Sequence, residues 1–409
     1  MIAIAVLGHG TVGSGVVEVL ERRRESITQK VGDEIWVKRI LIRKLRDLPY
    51  ADKLTRDFSD IANDSEIQVV VEVIGGVNPA YDFVKAALMA GKSVVTSNKE
   101  LVAAKGAELL TLAREKNLNF FFEASVGGGT PIIRPLHLSL SGDRINEIVG
   151  ILNGTTNFIL TKMIHENMGF NEALEKARQL GYAEADPSAD VKGHDTCRKI
   201  CILASLAFGS HVYPDKVHTE GITAVTLEDV QYAEDESFVI KLLGQTRRGE
   251  SGCSVVVGPC LVHSENLLSS VDDVFNAILV RGEITGDVVF YGKGAGKLPT
   301  ASAVVSDIID CITAKGTTTS LQWNDSDGSN VQDYRIGACP RYIRCNGRGL
   351  FEKIAASFGE VRLLRRRHGK PGDEDAFITD PLDGFALEEK LAALEERGVE
   401  ILSSMRVLE

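Results

Sequence analysis

Short apolar runs alternate with amphipathic stretches along the first third of the chain. The runs Ile2–Leu7, Trp36–Ile42, Val69–Ile74, Ser93–Thr96 and Asn119–Phe122 predict strands. Between them the periodicity of Val12–Glu25, Pro79–Ala90 and Leu101–Glu115 predicts helices. Repeats of this kind build a parallel sheet wound on both faces. Val69–Ile74 is apolar nearly throughout, as a strand covered on both sides requires.

The pattern breaks at Gly127-Gly128-Gly129-Thr130-Pro131, which no helix or strand interior carries. Beyond it Arg144–Leu152 predicts a strand, and Thr156–His165, Phe170–Leu180 and Ser188–Phe208 predict helices. Further β-rich runs, Cys253–Val257 and Asn276–Arg281 among them, fall within 221–290. Strands grouped with helices without strict alternation predict a second domain of α+β class. Thr300–Ala314 predicts a helix that packs back on the first domain, and Gly316–Asp333, rich in Thr, Ser, Asn, Asp and Gly, reads as a linker. Six elements follow, at Arg341–Cys345, Leu350–Phe358, Val361–Arg366, Asp375–Thr379, Ala386–Arg397 and Val399–Val407. Their βαββαβ order is ferredoxin-like.

Composition narrows the partners. A length of 409 residues implies two to three domains. Acidic residues number 57 against 46 basic, a net charge of −11 that speaks against nucleic acid or an anionic membrane as partner. No apolar run is long enough to span a bilayer, and Met1 leads directly into the first predicted strand without a signal-peptide pattern. The seven cysteines are scattered, with no CxxC pair. Cys197 and Cys201 fall four apart on a predicted helix, where packing explains them, and the cysteine usage favours the cytoplasm.

Candidate chemistry starts at Gly8-His9-Gly10-Thr11-Val12-Gly13, between a predicted strand and a predicted helix. In that setting the three glycines suit a tight turn, close backbone approach and helix–sheet packing, and free N–H groups at the helix start suit a pyrophosphate. The second strand ends Ile42-Arg43-Lys44, with no carboxylate before Asp47. Arg43 or Lys44 can receive a 2′-phosphate, which favours NADP, with NAD left open; a solvated basic pair explains the same residues.

The second domain carries Glu184, Asp186 and Asp190 ahead of a helix, then Asp195 and Lys199 on one helical face. Alone, the last two read as a surface ion pair. The neighbours Ile200, Cys201, Leu203, Ala204 and Leu206 bury that helix, where a lysine can exchange protons. Thr96-Ser97-Asn98-Lys99 falls at a strand's carboxyl end, where open α/β sheets bind ligands. Asn153-Gly154-Thr155-Thr156-Asn157 fits a helix cap, and Gly292–Gly296 permits close backbone approach.

Together these tracts resemble homoserine dehydrogenase. The resemblance rests on Gly8–Gly13, Thr96–Lys99, Glu123–Pro131, Asn153–Leu160, Gly181–Lys199 and Tyr291–Thr300, which span about three quarters of the chain. It implies NAD(P)-dependent interconversion of L-homoserine and L-aspartate 4-semialdehyde, on the route to threonine, methionine and isoleucine. Lys199 is then the proton donor and acceptor, assisted by Lys99 and Asp195, while Glu184, Asp190, Asp195, Asn153 and Thr155 hold substrate. Gly8, Gly10, Thr11, Val12, Gly13, Arg43, Lys44, Gly75, Thr96, Ser97, Lys99, Gly181, Gly294 and Gly296 would meet the cofactor. Glu123, Val126, Gly128 and Thr130 match a site for sodium or potassium, largely through backbone carbonyls.

The implied architecture is a Rossmann-type dinucleotide domain over 1–130 with the helix 300–316, a catalytic domain over 131–299 and an ACT-like domain over 335–409. A homodimer or homotetramer is expected. The ligand loop of such regulatory domains usually holds Asp and Pro, yet here it reads Cys345-Asn346-Gly347-Arg348-Gly349. Arg362, Arg365, Arg366 and Arg367 crowd the next strand. Weak or absent threonine feedback is therefore expected. A different semialdehyde reductase, or an inactive dinucleotide-sensing regulator, remains as the alternative.

Overall fold

The computed structural model describes residues 1–44, 50–314, 321–366, 369 and 372–408. Asp47, residues 315–320 of the predicted last helix and linker, and Arg367 lie outside them. The chain divides into two compact units. One comprises Met1–Ile145, Cys201–Pro214 and Gly282–Asn330; the other comprises Asn146–Ile200, Asp215–Arg281 and Val331–Glu409.

In the first unit, β1 (Ile2–Leu7), β2 (Ile35–Leu41), β3 (Leu54–Thr55), β4 (Ile67–Glu72), β5 (Ser93–Thr96) and β6 (Phe120–Phe121) form a parallel sheet. Its order is β3-β2-β1-β4-β5-β6, so the strand sequence reverses between β1 and β4. Ligands of doubly wound sheets bind at the carboxyl ends beside that reversal. The helix Lys297–Thr313 returns to this sheet as expected, packing Ala301, Val304, Val305 and Ile308 with Ile4, Val6, Val16 and Leu20.

The chain continues through β7 (Ile145–Ile151), β8 (His218–Thr219), β9 (Phe238–Arg248), β10 (Cys253–His263), β11 (Phe275–Gly282), β12 (Gly286–Lys293), β13 (Val331–Gln332), β14 (Arg341–Asn346), β15 (Arg362–Leu363), β16 (Glu374–Ile378) and β17 (Glu400–Leu408). In the second unit β11, β7, β9, β10, β17, β14, β16 and β15 are neighbours in that order in a mixed sheet. The stretch β17-β14-β16-β15, with helices Leu350–Phe358 and Gly384–Glu396, is the expected ferredoxin-like arrangement. Ile343, Phe377, Ile354, Leu387 and Leu394 form its core.

Three expectations change. The helix predicted over 12–25 is two, Thr11–Arg22 and Arg24–Val31, and the second turns Ile27 into the core. The helix predicted over 188–208 breaks into Ser188–Val191 and His194–Phe208. Gly193 makes the break: its φ is +80°, and a Cβ there would stand 2.9 Å from the Glu220 carbonyl oxygen. Finally, the predicted linker contributes two core residues, with Leu321 and Trp323 buried among exposed and half-buried polar neighbours. Trp323 lies against Gly106 and donates to His211 Nδ1 at 2.8 Å, so one aromatic ring overrides the polar composition around it.

Candidate active site

Each unit carries its own polar assembly. In the first, β1 delivers the chain to Gly8 at φ +102°, and Gly10 caps the helix Thr11–Arg22 without a side-chain hydrogen bond. The glycines differ in what excludes a side chain. A Cβ at Gly13 would fall 2.1 Å from the Gly8 carbonyl oxygen, and one at Gly15 would fall 2.8 Å from that of Lys297. A Cβ at Gly10 meets nothing within 4 Å, so the protein itself does not demand that glycine. Open space over a helix N-terminus is where a phosphate approaches. His9 has a definite neighbour in Tyr50, whose hydroxyl oxygen lies 2.6 Å from its Nε2. Arg43 and Lys44 are exposed just past β2.

The strand ends beside this loop are held by a residue that sequence reasoning passed over. Glu72 is fully buried at the end of β4. Its carboxylate accepts from Thr96 Oγ1 at 2.6 Å, Ile74 N at 2.7 Å and Gly75 N at 3.3 Å. Burial pushes its pKa up against those three donors. Asn98 takes its own N–H to Thr96 Oγ1, donates Nδ2 to the Gly76 carbonyl and caps the helix at Leu101 N. Thr96 and Gly75 are thus tied to one carboxylate, while half-buried Lys99 opens the helix Lys99–Glu115. The signal was one acidic residue in an otherwise apolar strand.

Two glycine tracts also meet in this unit. Gly127 and Gly128 are left-handed, a Cβ at Gly128 would strike the Gly294 carbonyl oxygen at 2.3 Å, and Gly129 N donates to the Lys293 carbonyl at 3.1 Å. Gly296, at φ +127°, starts the helix Lys297–Thr313. The Glu123 carboxylate accepts from the N–H groups of Ile132, Ile133 and Arg134 at 2.6, 2.9 and 2.8 Å. Thr130 Oγ1 is buried without a hydrogen-bond partner, an orphaned oxygen that suits a cation's ligand set. Among the described residues no cluster of three His, Cys, Asp or Glu side chains could hold a metal ion.

In the second unit, Asn153 caps the helix Gly154–Glu166 by accepting from Thr156 N at 2.8 Å. Its Nδ2 reaches Asp190 Oδ1 at 2.7 Å and Asp195 Oδ2 at 2.9 Å. Lys199 donates to that same Asp195 oxygen and to the Leu152 carbonyl, both at 2.7 Å. The side chains of Lys199 and Asp195 are 10% and 3% exposed, so the pair is no solvated surface bridge. The Gly193 break lets Asp190 and Asp195, on separate helices, converge on one amide. Thr155 Oγ1 pins the following loop at the Tyr182 carbonyl, 2.6 Å away. Glu184 and Gly181 are exposed on that loop, outside the buried cluster.

The chain is similar to known proteins along most of its length. A family model described as homoserine dehydrogenase, NAD binding domain, matches residues 8–123, and one described as homoserine dehydrogenase matches 131–309. The homoserine dehydrogenase of Bacillus subtilis is 44% identical over 313 residues, 75% of this chain and 72% of that one. The crystal structure of a homoserine dehydrogenase from Thiobacillus denitrificans superposes with a TM-score of 0.90 at 35% identity, covering 100% of this chain and 98% of that one. A hyperthermophilic archaeal homoserine dehydrogenase in complex with NADPH gives 0.67 at 31% identity, covering 76% and 97%.

Proposed function

We propose specific roles for the residues above on the premise that the chain belongs to the homoserine dehydrogenase family. As a member it is an oxidoreductase that interconverts L-homoserine and L-aspartate 4-semialdehyde with a nicotinamide dinucleotide. That membership removes the alternatives of a different semialdehyde reductase and of an inactive regulator. The observation that carries the roles is the buried Asn153–Asp195–Lys199 cluster.

The dinucleotide, when bound, gives or takes the hydride at the substrate carbon. Lys199 hands a proton to the aldehyde oxygen in reduction and removes the hydroxyl proton in oxidation. Asp195, oriented by Asn153, stabilises the ammonium form of Lys199 and, with Asp190 and Thr155, shapes the substrate pocket. Glu184, exposed and anionic, offers a carboxylate to the substrate amino group, and Lys99 assists at the nicotinamide. Gly10, Thr11, Val12 and Gly13 receive the pyrophosphate on the N–H groups of the helix start, and Gly8, whose own N–H is held by the Leu41 carbonyl at 2.9 Å, makes the turn beside it. Gly75, Thr96, Ser97, Gly181, Gly294 and Gly296 line the remainder of the cofactor path.

NADP is the preferred cofactor in this reading, because Arg43 and Lys44 stand exposed after β2 where a 2′-phosphate needs cations. Sodium or potassium binds the carbonyls of Glu123, Val126, Gly128 and Thr130 and braces the loop that Gly128 presses onto Gly294. Among the described residues no helix is long and apolar enough to cross a membrane, and we place the enzyme in the cytoplasm as a homodimer or homotetramer. Residues 335–409 act as an ACT-like domain whose altered loop leaves threonine feedback weak or absent.

Initial rates of homoserine oxidation with NADP and NAD, each with and without threonine, test this reading. Arg43→Ala should raise the KM for NADP about tenfold and leave that for NAD unchanged. Equal effects on both nucleotides would remove Arg43 from its role, and strong inhibition by threonine would overturn the regulatory part.

A further inference from the structure

Two arginines of β14 have similar burial and opposite company. Arg344 is held by Asp229 at 2.8 Å, Glu374 at 3.1 Å and Thr226 at 3.1 Å. Arg341, three residues earlier and 7% exposed, takes part in no ion pair among the described residues, and its Nε is buried without a partner. A guanidinium taken from water without an anion is costly, and the chain has met that cost nowhere else on this strand. Burial is the main force against the Arg341 charge.

A second cation aggravates the problem. Arg341 faces Arg406 directly across the antiparallel pairing of β14 and β17. Like charges placed opposite one another destabilise a sheet unless something negative sits between them. Arg406 donates to the Tyr334 carbonyl at 3.1 Å and lies over the Tyr334 ring, so its position is fixed. Both arginines line a cavity of about 140 Å³, together with Ser404, Tyr334, Glu220 and the ion-paired Arg335 and Glu388. An adjoining space of about 220 Å³ shares Tyr334 and Arg406.

We infer that this cavity binds a small monocarboxylate, with Arg341 and Arg406 as its anion-holding residues. A planar guanidinium fork matches a carboxylate bidentately. Glu220 on the same wall opposes a dianion, which favours a single negative charge; Glu388 is already held by Arg335 at 3.1 Å. None of the lining residues belongs to the Asn153–Asp195–Lys199 cluster. The ligand therefore occupies a place distinct from substrate.

Thermal melting of the full chain in a buffer free of carboxylates, with acetate, L-alanine or inorganic phosphate added, tests the inference. Saturating acetate or L-alanine should raise the melting temperature by about 3 °C, and Arg341→Met should abolish the rise. No rise with either carboxylate, or an undiminished rise in Arg341→Met, overturns the site; a rise with phosphate alone overturns the carboxylate assignment. Arg341→Lys keeps the charge and hence the fold. By calorimetric titration it should bind the effective carboxylate at least about tenfold more weakly than the wild type, and equal affinity overturns the site.

Discussion

Two lysines of the second unit are buried beside the same short tract, Asn153–Asn157, and do different work. Lys199 meets Asp195, which Asn153 orients. Lys241, on β9, donates to the Val271 carbonyl at 2.5 Å, Asp272 Oδ1 at 3.1 Å and Asn157 Oδ1 at 3.4 Å. Asn157 Nδ2 reaches the carbonyls of Val271 and Asp273, both at 3.0 Å, so amide and ammonium together clamp the 271–273 turn. The Lys241 side chain is wholly enclosed, whereas that of Lys199 keeps 10% of its surface. A buried lysine is thus no mark of chemistry by itself. Lys241 spends all three of its N–H donors on fixed protein acceptors, and Lys199 keeps an accessible edge beside a carboxylate.

The largest expected effect breaks the chemical half of that comparison. Lys199→Met should lower kcat by about 10³-fold, roughly 4 kcal/mol in the barrier, with dinucleotide affinity and melting temperature close to wild type. Steady-state kinetics and a nucleotide titration on the same preparation measure both. A variant retaining kcat would return Lys199 to the structural class of Lys241.

The converse substitution has a smaller effect of the other kind. Lys241→Met strands the buried Asn157 amide oxygen and takes one of two donors from the Val271 carbonyl, while the Asp272 side chain, 39% exposed, passes to water. The second unit should lose about 2 kcal/mol, roughly 5 °C in melting, with kcat unchanged. A fall in kcat without a fall in melting temperature would give Lys241 a catalytic part.

How much of this contrast the sequence could show follows from what enforces each element. Strand, glycine loop and helix over Ile2–Arg22 are legible because Gly8 and Gly13 answer local steric demands that a short window displays. The spacing of Asp195 and Lys199 places them on one face, yet nothing in it reveals that Asn153 binds Asp195 from 42 residues away. Lys241 is invisible for the same reason: its acceptors are two main- or side-chain groups near 271 and an asparagine 84 residues earlier in the chain. Gly193 did carry a signal, since glycine inside a predicted helix permits the break that tertiary crowding from Glu220 then demands. The arginines after Val361 read as a crowded strand, whereas Arg362 pairs with Glu236 and Arg366 with Glu374 and Gln231. Their partners lie beyond any local window, so composition could only report the excess.

The smallest effect sharpens the comparison through pH. Burial lowers the Lys241 pKa from its usual 10.5, and the nearby carboxylates of Asp272 and Asp273 offset only part of that shift. The unfolded chain then binds more protons at this position than the folded one between the lowered value and 10.5. Stability contributed by Lys241 is accordingly complete above 10.5 and is lost as pH falls through the folded value. Subtracting Lys241→Met from wild type cancels the other titrating groups, because they are common to both proteins. The wild-type advantage in melting temperature should therefore widen by about 1 °C as pH rises from roughly 8 to 10. A constant difference would mean that the Val271 carbonyl and Asp272 fully repay desolvation of the ammonium, and enclosure alone would no longer separate Lys241 from Lys199.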